Sequence, residues 1–243
     1  MSMKLLQWNI LYLDSIDKID DIIKELKKFD ADIVCLQEVS ETYNSNTIDK
    51  LLKSYKYSEF AYADEKKLEN RIQGNAILSK YPIIEKKEHL ISPRHDYENN
   101  IKREGRVYLE VDILLPSNEK ITVSTVHNSL YKKHRPRGAE LDITLALISK
   151  HTKRFIFAGD LNSTPDDPYV KNIQKYLCHS GPSMEEKTCT TKPRTFDDGS
   201  KEPYLNLRID YVFNTPDIKI LDSKIIKTQM SDHLPIMTKF KIT

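Results

Sequence analysis

The sequence predicts an α/β fold in which helices cover β-sheets, and three observations predict it. Apolar runs of strand length end in polar residues, as in Leu5-Leu6-Gln7-Trp8 before Asn9 and Phe155-Ile156-Phe157-Ala158-Gly159 before Asp160. Other segments place apolar residues at helical spacing, as Ile16, Ile19, Ile22, Ile23, Leu26 and Phe29 do. A third pattern is a hairpin. Val107, Leu109, Val111 and Ile113 alternate with Tyr108, Glu110 and Asp112; then come Pro116-Ser117-Asn118-Glu119 and a second apolar run. Helices mixed with hairpins favour sheets with helices packed on their faces.

In chain order, residues 4–8 read as the first strand. A helix is expected over 17–29, with Asp17, Asp20 and Asp21 early and Lys24, Lys27 and Lys28 late, a polarity that suits the helix dipole. Residues 33–37 form the next strand, and 46–53 a short helix. Residues 75–78 give a strand closed by Ser79-Lys80-Tyr81-Pro82. The hairpin spans 106–115 and 121–126. A second amphipathic helix, carrying Leu141, Leu145 and Ile148, covers 138–150. Strands at 155–158, 211–213 and 235–240 complete the pattern. Residues 180–201 are polar and read as a long surface loop. No repeat or linker divides the chain, so one domain over 1–243 is expected.

Composition fits a folded globular protein, with 39% hydrophobic and 30% charged residues. Lys and Arg number 38 against 36 Asp and Glu, a net charge of +2 that neither announces nor excludes a nucleic-acid partner. No apolar stretch is long enough to span a bilayer, and no signal-peptide pattern opens the sequence, so an intracellular, cytoplasmic protein without membrane insertion is expected. Three cysteines, Cys35, Cys178 and Cys189, make no disulfide framework. Cys35 lies in Ile33-Val34-Cys35-Leu36 and reads as a small buried hydrophobe. Cys178-His179 and Cys189 match no familiar zinc spacing.

Candidate chemistry sits at strand ends: Asn9, Gln37-Glu38, His127, Asp160 with Asn162, Asp210, and Asp232-His233. Rigid strands opening on a mouth are common places for active sites. Each residue alone has a plainer explanation. A Glu at a strand end is often just solvated, Asp160-Leu161-Asn162 suits a turn, and a lone His is more often structural. The ordered set outweighs the separate explanations.

Six blocks carry a resemblance: Trp8-Asn9-Ile10, Leu36-Gln37-Glu38-Val39, Gly74-Asn75-Ala76-Ile77-Leu78-Ser79, Gly159-Asp160-Leu161-Asn162, Arg208-Ile209-Asp210-Tyr211 and Ser231-Asp232-His233-Leu234-Pro235. Their order over almost the whole chain resembles the endonuclease/exonuclease/phosphatase superfamily. The resemblance implies a DNase I-like fold, a four-layered α/β/β/α sandwich of two packed mixed sheets flanked by helices. It also implies a metal-dependent hydrolase acting on phosphoesters. Glu38 resembles the principal metal carboxylate, with Asn9 beside it and Asp232 a further metal-side carboxylate. Asp160 resembles the residue that orients or deprotonates the attacking water, and Asn162 the neighbour that holds the phosphate. His233 resembles the phosphate-contacting histidine, with Asp210 fixing its tautomer. His127 resembles a second histidine, a phosphate contact or a proton donor to the leaving oxygen. Asn75 and Arg106 match positions that line the phosphate pocket. Magnesium, with manganese able to replace it, suits an oxygen-rich site better than zinc. One departure stands out: the family's Thr-His-Leu is here Val126-His127-Asn128.

A nucleic acid is the favoured substrate, in a nuclease or a DNA-end and abasic-site repair role. Lys132-Lys133-His134-Arg135-Pro136-Arg137, Lys102-Arg103 with Arg106, and Lys192-Pro193-Arg194 offer basic contacts, and the 13 tyrosines offer stacking surfaces. The same lysines are equally consistent with an ordinary solvated surface. A small phosphate ester, such as an inositol phosphate, a lipid headgroup or a nucleotide, is the alternative. An inactive binding module is disfavoured by the complete residue set. The sequence names no protein partner, and a monomer is expected.

Overall fold

The computed structural model describes residues 2–11, 16–42, 44–63, 71–92, 95–96, 101–102, 105–130, 138–191, 194–195, 201–202 and 205–243. Twelve strands form two six-stranded sheets. They are β1 Met3–Asn9, β2 Ile33–Thr42, β3 Tyr57–Tyr62, β4 Arg71–Ser79, β5 Ile83–Ser92, β6 Arg106–Leu114, β7 Lys120–His127, β8 Phe155–Asp160, β9 Cys178–His179, β10 Asp210–Asn214, β11 Ile218–Ile225 and β12 Ile236–Ile242. The first sheet runs β11-β12-β1-β2-β4-β3 and the second β9-β10-β8-β7-β6-β5. The helices that lie wholly within the described residues are α1 Ile19–Phe29, α2 Thr47–Leu52, α3 Gly138–Ile148 and α4 Pro168–Ile173.

Strand alternation builds the layers, because successive side chains point to opposite faces. Leu5, Ile33, Cys35 and Ile77 of the first sheet meet Leu109, Val111, Val123, Ile156, Ala158 and Val212 of the second in a shared inner core. Leu6, Trp8, Val34 and Leu36 point the other way, onto Ile19, Ile22 and Leu26 of α1 and Ile48 and Leu51 of α2. Phe155, Phe157, Tyr211 and Phe213 cover the outer face of the second sheet, with Tyr169, Val170 and Ile173 of α4 and Ile148 of α3. The result is the four-layered α/β/β/α sandwich that the sequence led us to expect. Cys35 is a fully buried member of its inner core.

Both sheets are mixed. In each, one central pair of strands is parallel: β1 with β2, and β7 with β8. Register brings the polar strand ends level. Asn9 stands opposite Gln37, Asp160 opposite His127, and Asp160 also opposite Asp210 of antiparallel β10.

Four details differ from the sequence reading. Strand β2 continues past Gln37 to Thr42, and its register with β4 shifts between Leu36 and Val39. Glu38 sits in that bulge with φ 56°, so it lies inside a strand and not at its end. Strands β3, β5 and β11, absent from the sequence reading, form sheet edges. Helix α4 was also missed; Pro168 opens it and the Asp167 side chain accepts from Tyr169 N. Finally, residues 180–201 are not a plain surface loop. Cys189–Thr191 pairs antiparallel with Leu205–Leu207, and Ser180, Thr188 and Cys189 are buried. Among the described residues, no helix is long and apolar enough to cross a membrane.

Gly159 shows how tightly the site-bearing strands approach. A Cβ there would lie 2.3 Å from the Val126 carbonyl oxygen, a backbone atom that cannot swing away. Gly159→Ala is therefore expected to destabilise the fold by about 1–3 kcal/mol, the usual cost of overpacking. Guanidinium denaturation checks it; an unchanged midpoint would show that β7 and β8 part without penalty.

Candidate active site

The site forms where the two sheets meet at the C-terminal ends of both parallel strand pairs. Strands β1 and β2 bring Asn9 and Glu38. Strands β7 and β8 bring His127 and Asp160, and Asn162 follows β8. Asp210 opens β10, and His233 precedes β12.

Glu38 and Asn162 both have positive φ, 56° and 46°. Neither is glycine, so the backbone holds each in a disfavoured region that points its side chain toward the others. Asn9 lies between two carboxylates: its Nδ2 donates to Glu38 Oε1 at 3.0 Å and to Asp160 Oδ2 at 2.9 Å. Its Oδ1 accepts from the Leu11 amide at 3.0 Å. The backbone N–H needs an acceptor, so the amide oxygen is fixed there and the nitrogen faces the carboxylates. In this arrangement Asn9 bridges the acids and turns its oxygen away from them.

Asp160 is buried. Its Oδ1 accepts from Asn162 N at 2.9 Å, while Oδ2 lies 3.6 Å from His127 Nε2 and 3.7 Å from His233 Nε2. Burial, then the Asp210 charge, push its carboxyl up to about 7, against the pull of His233 and the Asn9 amide. His233 Nδ1 and Asp210 Oδ2 are 2.9 Å apart, and Gln7 Nε2 donates to Asp210 Oδ1 at 3.3 Å. Burial opposes charge on His233, but Asp210 and Asp160 outweigh it and hold the imidazole pKa well above its ordinary range. The histidine backbone is pinned as well. Ser231 Oγ accepts from His233 N at 3.1 Å, and Trp8 Nε1 donates to His233 O at 3.1 Å.

The second histidine behaves in the opposite way. Arg106 Nη1 lies 3.4 Å from His127 Nδ1, and Asn162 Nδ2 3.2 Å from its Nε2. A protonated ring has no lone pair to offer either donor. Burial first, then the charges of Arg106 and His233, push its pKa well below the ordinary value. One histidine is thus kept charged and its neighbour neutral. Asn75 and Arg106 line a small depression with Gln73 and His127. Asn75 Nδ2 donates to Val107 O at 2.8 Å, tying β4 to β6.

Asp232 is partly buried and clusters with Cys189 and His233, their donor atoms all within 4.8 Å of one another. A second cluster of this kind is Asp160, Asp210 and His233. The Cys178-His179 pair does not join either group. Cys178 is exposed, and His179, its pKa lowered to about 4 by burial and by Arg208, sits 3.3 Å from Arg208 Nη2.

Several contacts around the site were not foreseen. Gln7 and Gln37 exchange side-chain hydrogen bonds at 2.7 and 2.9 Å, and Gln37 Nε2 also donates to Thr125 Oγ1 at 2.7 Å. This buried bridge joins the sheets beneath the site; its signal was a glutamine in each of two apolar strands. Asn128, the departure from the family pattern, is fully buried. Its Nδ2 donates to Glu140 Oε1 at 3.1 Å and its carbonyl accepts from Asn162 Nδ2 at 2.8 Å. The residue therefore ties the start of α3 to Asn162 and faces away from the open site. The basic segments 132–137, Arg103 and residues 192–193 lie outside the described residues.

The raised Asp160 carboxyl makes stability pH-dependent. The folded protein keeps this proton up to about pH 7, while the unfolded chain loses it near 3.8. Stability therefore falls as pH rises between those values, since the native state binds more protons there. Asp160→Asn removes the ionisation. In chelator at about pH 8 it should be more stable than the parent by roughly 1–4 kcal/mol, with the gap closing toward about pH 4. Denaturation at both pH values checks this; a variant no more stable than the parent at the higher pH contradicts it.

Comparison with known proteins identifies the family. Residues 6–233 match the model of the endonuclease/exonuclease/phosphatase family. An exodeoxyribonuclease of Bacillus subtilis is 24% identical over 96% of this chain and 98% of its own length. Protein angel homolog 2 of Bos taurus is 29% identical over 64% of this chain, which spans only 30% of that protein. A crystal structure of an endonuclease/exonuclease/phosphatase from Beutenbergia cavernae superposes with a TM-score of 0.72 at 19% identity, over 99% of this chain and 72% of that one. The chain belongs to the endonuclease/exonuclease/phosphatase family, whose members are phosphoesterase hydrolases.

Proposed function

We propose that this protein is a magnesium-dependent phosphodiesterase acting on nucleic acid, with residues 1–243 as one catalytic domain. The observation that carries the reading is the opposed pair of histidines around Asp160: His233 held charged by Asp210, His127 held neutral beside Arg106. Support for a polymer substrate comes from the exodeoxyribonuclease of Bacillus subtilis, which aligns along nearly the whole chain.

The donor chemistry fits a hard divalent cation. Carboxylate oxygens of Glu38, Asp160 and Asp210 gather around one seam, and burial leaves Asp160 short of compensating positive charge. Glu38, with its side chain 13% exposed, would hold the ion, and Asn9 would keep that carboxylate aligned with Asp160. When bound, such an ion neutralises the phosphate and stabilises the extra charge of the transition state. Manganese shares the oxygen preference and would substitute.

The chain supplies the rest. Asp160 orients the attacking water and accepts its proton, a task suited to a carboxyl titrating near neutrality. His233 presents positive charge to the phosphate oxygens. Arg106 adds N–H donors without adding negative charge, and Asn162 holds the His127 ring beside the phosphate. His127, kept neutral, serves as a hydrogen-bonding contact to the phosphate; its low pKa makes it a poor acid for the leaving oxygen. Asn75 Nδ2 keeps a second hydrogen for the same pocket.

In magnesium, Asp160→Ala should lower hydrolysis of single-stranded DNA or RNA by at least about a hundredfold while leaving the far-ultraviolet spectrum intact. Excess chelator should abolish parental activity, and binding to the polymer should weaken steeply with salt through counterion release. Full activity in chelator overturns the metal assignment. Hydrolysis of inositol phosphates or nucleotides, with no polymer bound at low salt, transfers the site to small phosphate esters.

A further inference from the structure

One buried thiol beside the site has no part in the proposed hydrolysis. Cys189 is 2% exposed. Its segment runs antiparallel to the segment carrying His233: Cys189 and His233 form a β-bridge, Thr190 N donates to Asp232 O at 2.9 Å, and Leu234 N donates to Thr188 O at 2.7 Å. Ser231 Oγ further fixes this turn by donating to Asn9 O at 2.8 Å. Both backbones are therefore held, and the side chains of Cys189, Asp232 and His233 converge. The thiol sulfur, a carboxylate oxygen and a ring nitrogen lie within 4.8 Å of one another.

We infer that Cys189, Asp232 and His233 form a second metal site, selective for a zinc-class ion and distinct in chemistry from the oxygen-rich site at Glu38. A thiolate with an imidazole suits a borderline-soft cation and is a poor match for magnesium. Three protein ligands leave one tetrahedral position for water, and partly exposed Asp232 opens an entry path. Binding releases the Cys189 thiol proton and a His233 ring proton to solvent. Metal on a His233 ring nitrogen takes the place of the N–H that would donate to phosphate, so zinc inhibits while magnesium activates. This inhibition rests on the phosphate role proposed for His233; the binding does not.

Cadmium serves as the probe, because its thiolate complex absorbs in the near ultraviolet. The titration uses the full chain with Cys178→Ser, which removes the exposed thiol; Cys35 is fully buried in the inner core. A charge-transfer band should rise stoichiometrically in excess magnesium. It should vanish in Cys189→Ser and need at least about tenfold more cadmium in Asp232→Asn. Zinc should displace the cadmium and bleach the band. A missing band, or one that survives Cys189→Ser with the fold intact by circular dichroism, overturns the site. Should Cys189→Ser fail to fold, an unchanged cadmium affinity in Asp232→Asn overturns it equally. In activity assays, zinc should block magnesium-supported hydrolysis and a zinc chelator should restore it. Zinc binding without inhibition overturns the inhibitory role of the site while the binding stands.

Discussion

Two parallel strand pairs, β1 with β2 and β7 with β8, must point the same way and meet at one seam, and every feature of the site depends on that alignment. The inner core enforces it. Leu5 and Cys35 pack against Ile156 and Ala158, and the Gln7–Gln37–Thr125 bridge fixes the sheets in register just below the polar ends. Polar groups buried this deeply are costly unless fully paired, so any slip between the sheets breaks several hydrogen bonds together. Shared packing thus does what a loop-built site needs extra contacts to achieve.

That rigidity allows the site to hold charge in an unfavourable way. Three acidic side chains surround a small volume, with Asp160 buried and its neighbour Asp210 opposing its ionisation. His233 offsets part of that cost and is held charged by the same two carboxylates. His127 is kept neutral by burial first, and then by the charges of Arg106 and His233. Opposite protonation states in adjacent imidazoles come from which ion stands nearest each ring. The remaining negative charge is the physical motive for a bound cation.

The central strands were legible because they are buried on both faces and read as apolar runs ending in a single polar residue. The edge strands β3, β5, β9 and β11 were not. Strand β5 carries Glu85, Lys86, Lys87 and Glu88 through its middle, the charged decoration that keeps an edge from pairing further, and it hides the alternation. The candidate residues stood out one by one by position and order. Their cooperation was not. The bulge that turns Glu38 inward depends on pairing with β4, and the role of Asn9 depends on Leu11 taking its oxygen. Cys189 meets His233 only through a bridge between distant segments. Asn128 broke the family pattern, but only its contact with Glu140 explains why.

Strand β12 lies between β1 and β11, so Met3 pairs with Phe240 and the earliest strand waits for one of the last. The turn just before β12 delivers His233, and Trp8 and Asn9 of β1 hold that turn in place. Before β12 joins β1, the chain carries Glu38, His127 and Asp160 but lacks the charged histidine among them. A hydrolase built this way gains its full constellation only once β12 has paired with β1, so closing the first sheet and completing the site are one event.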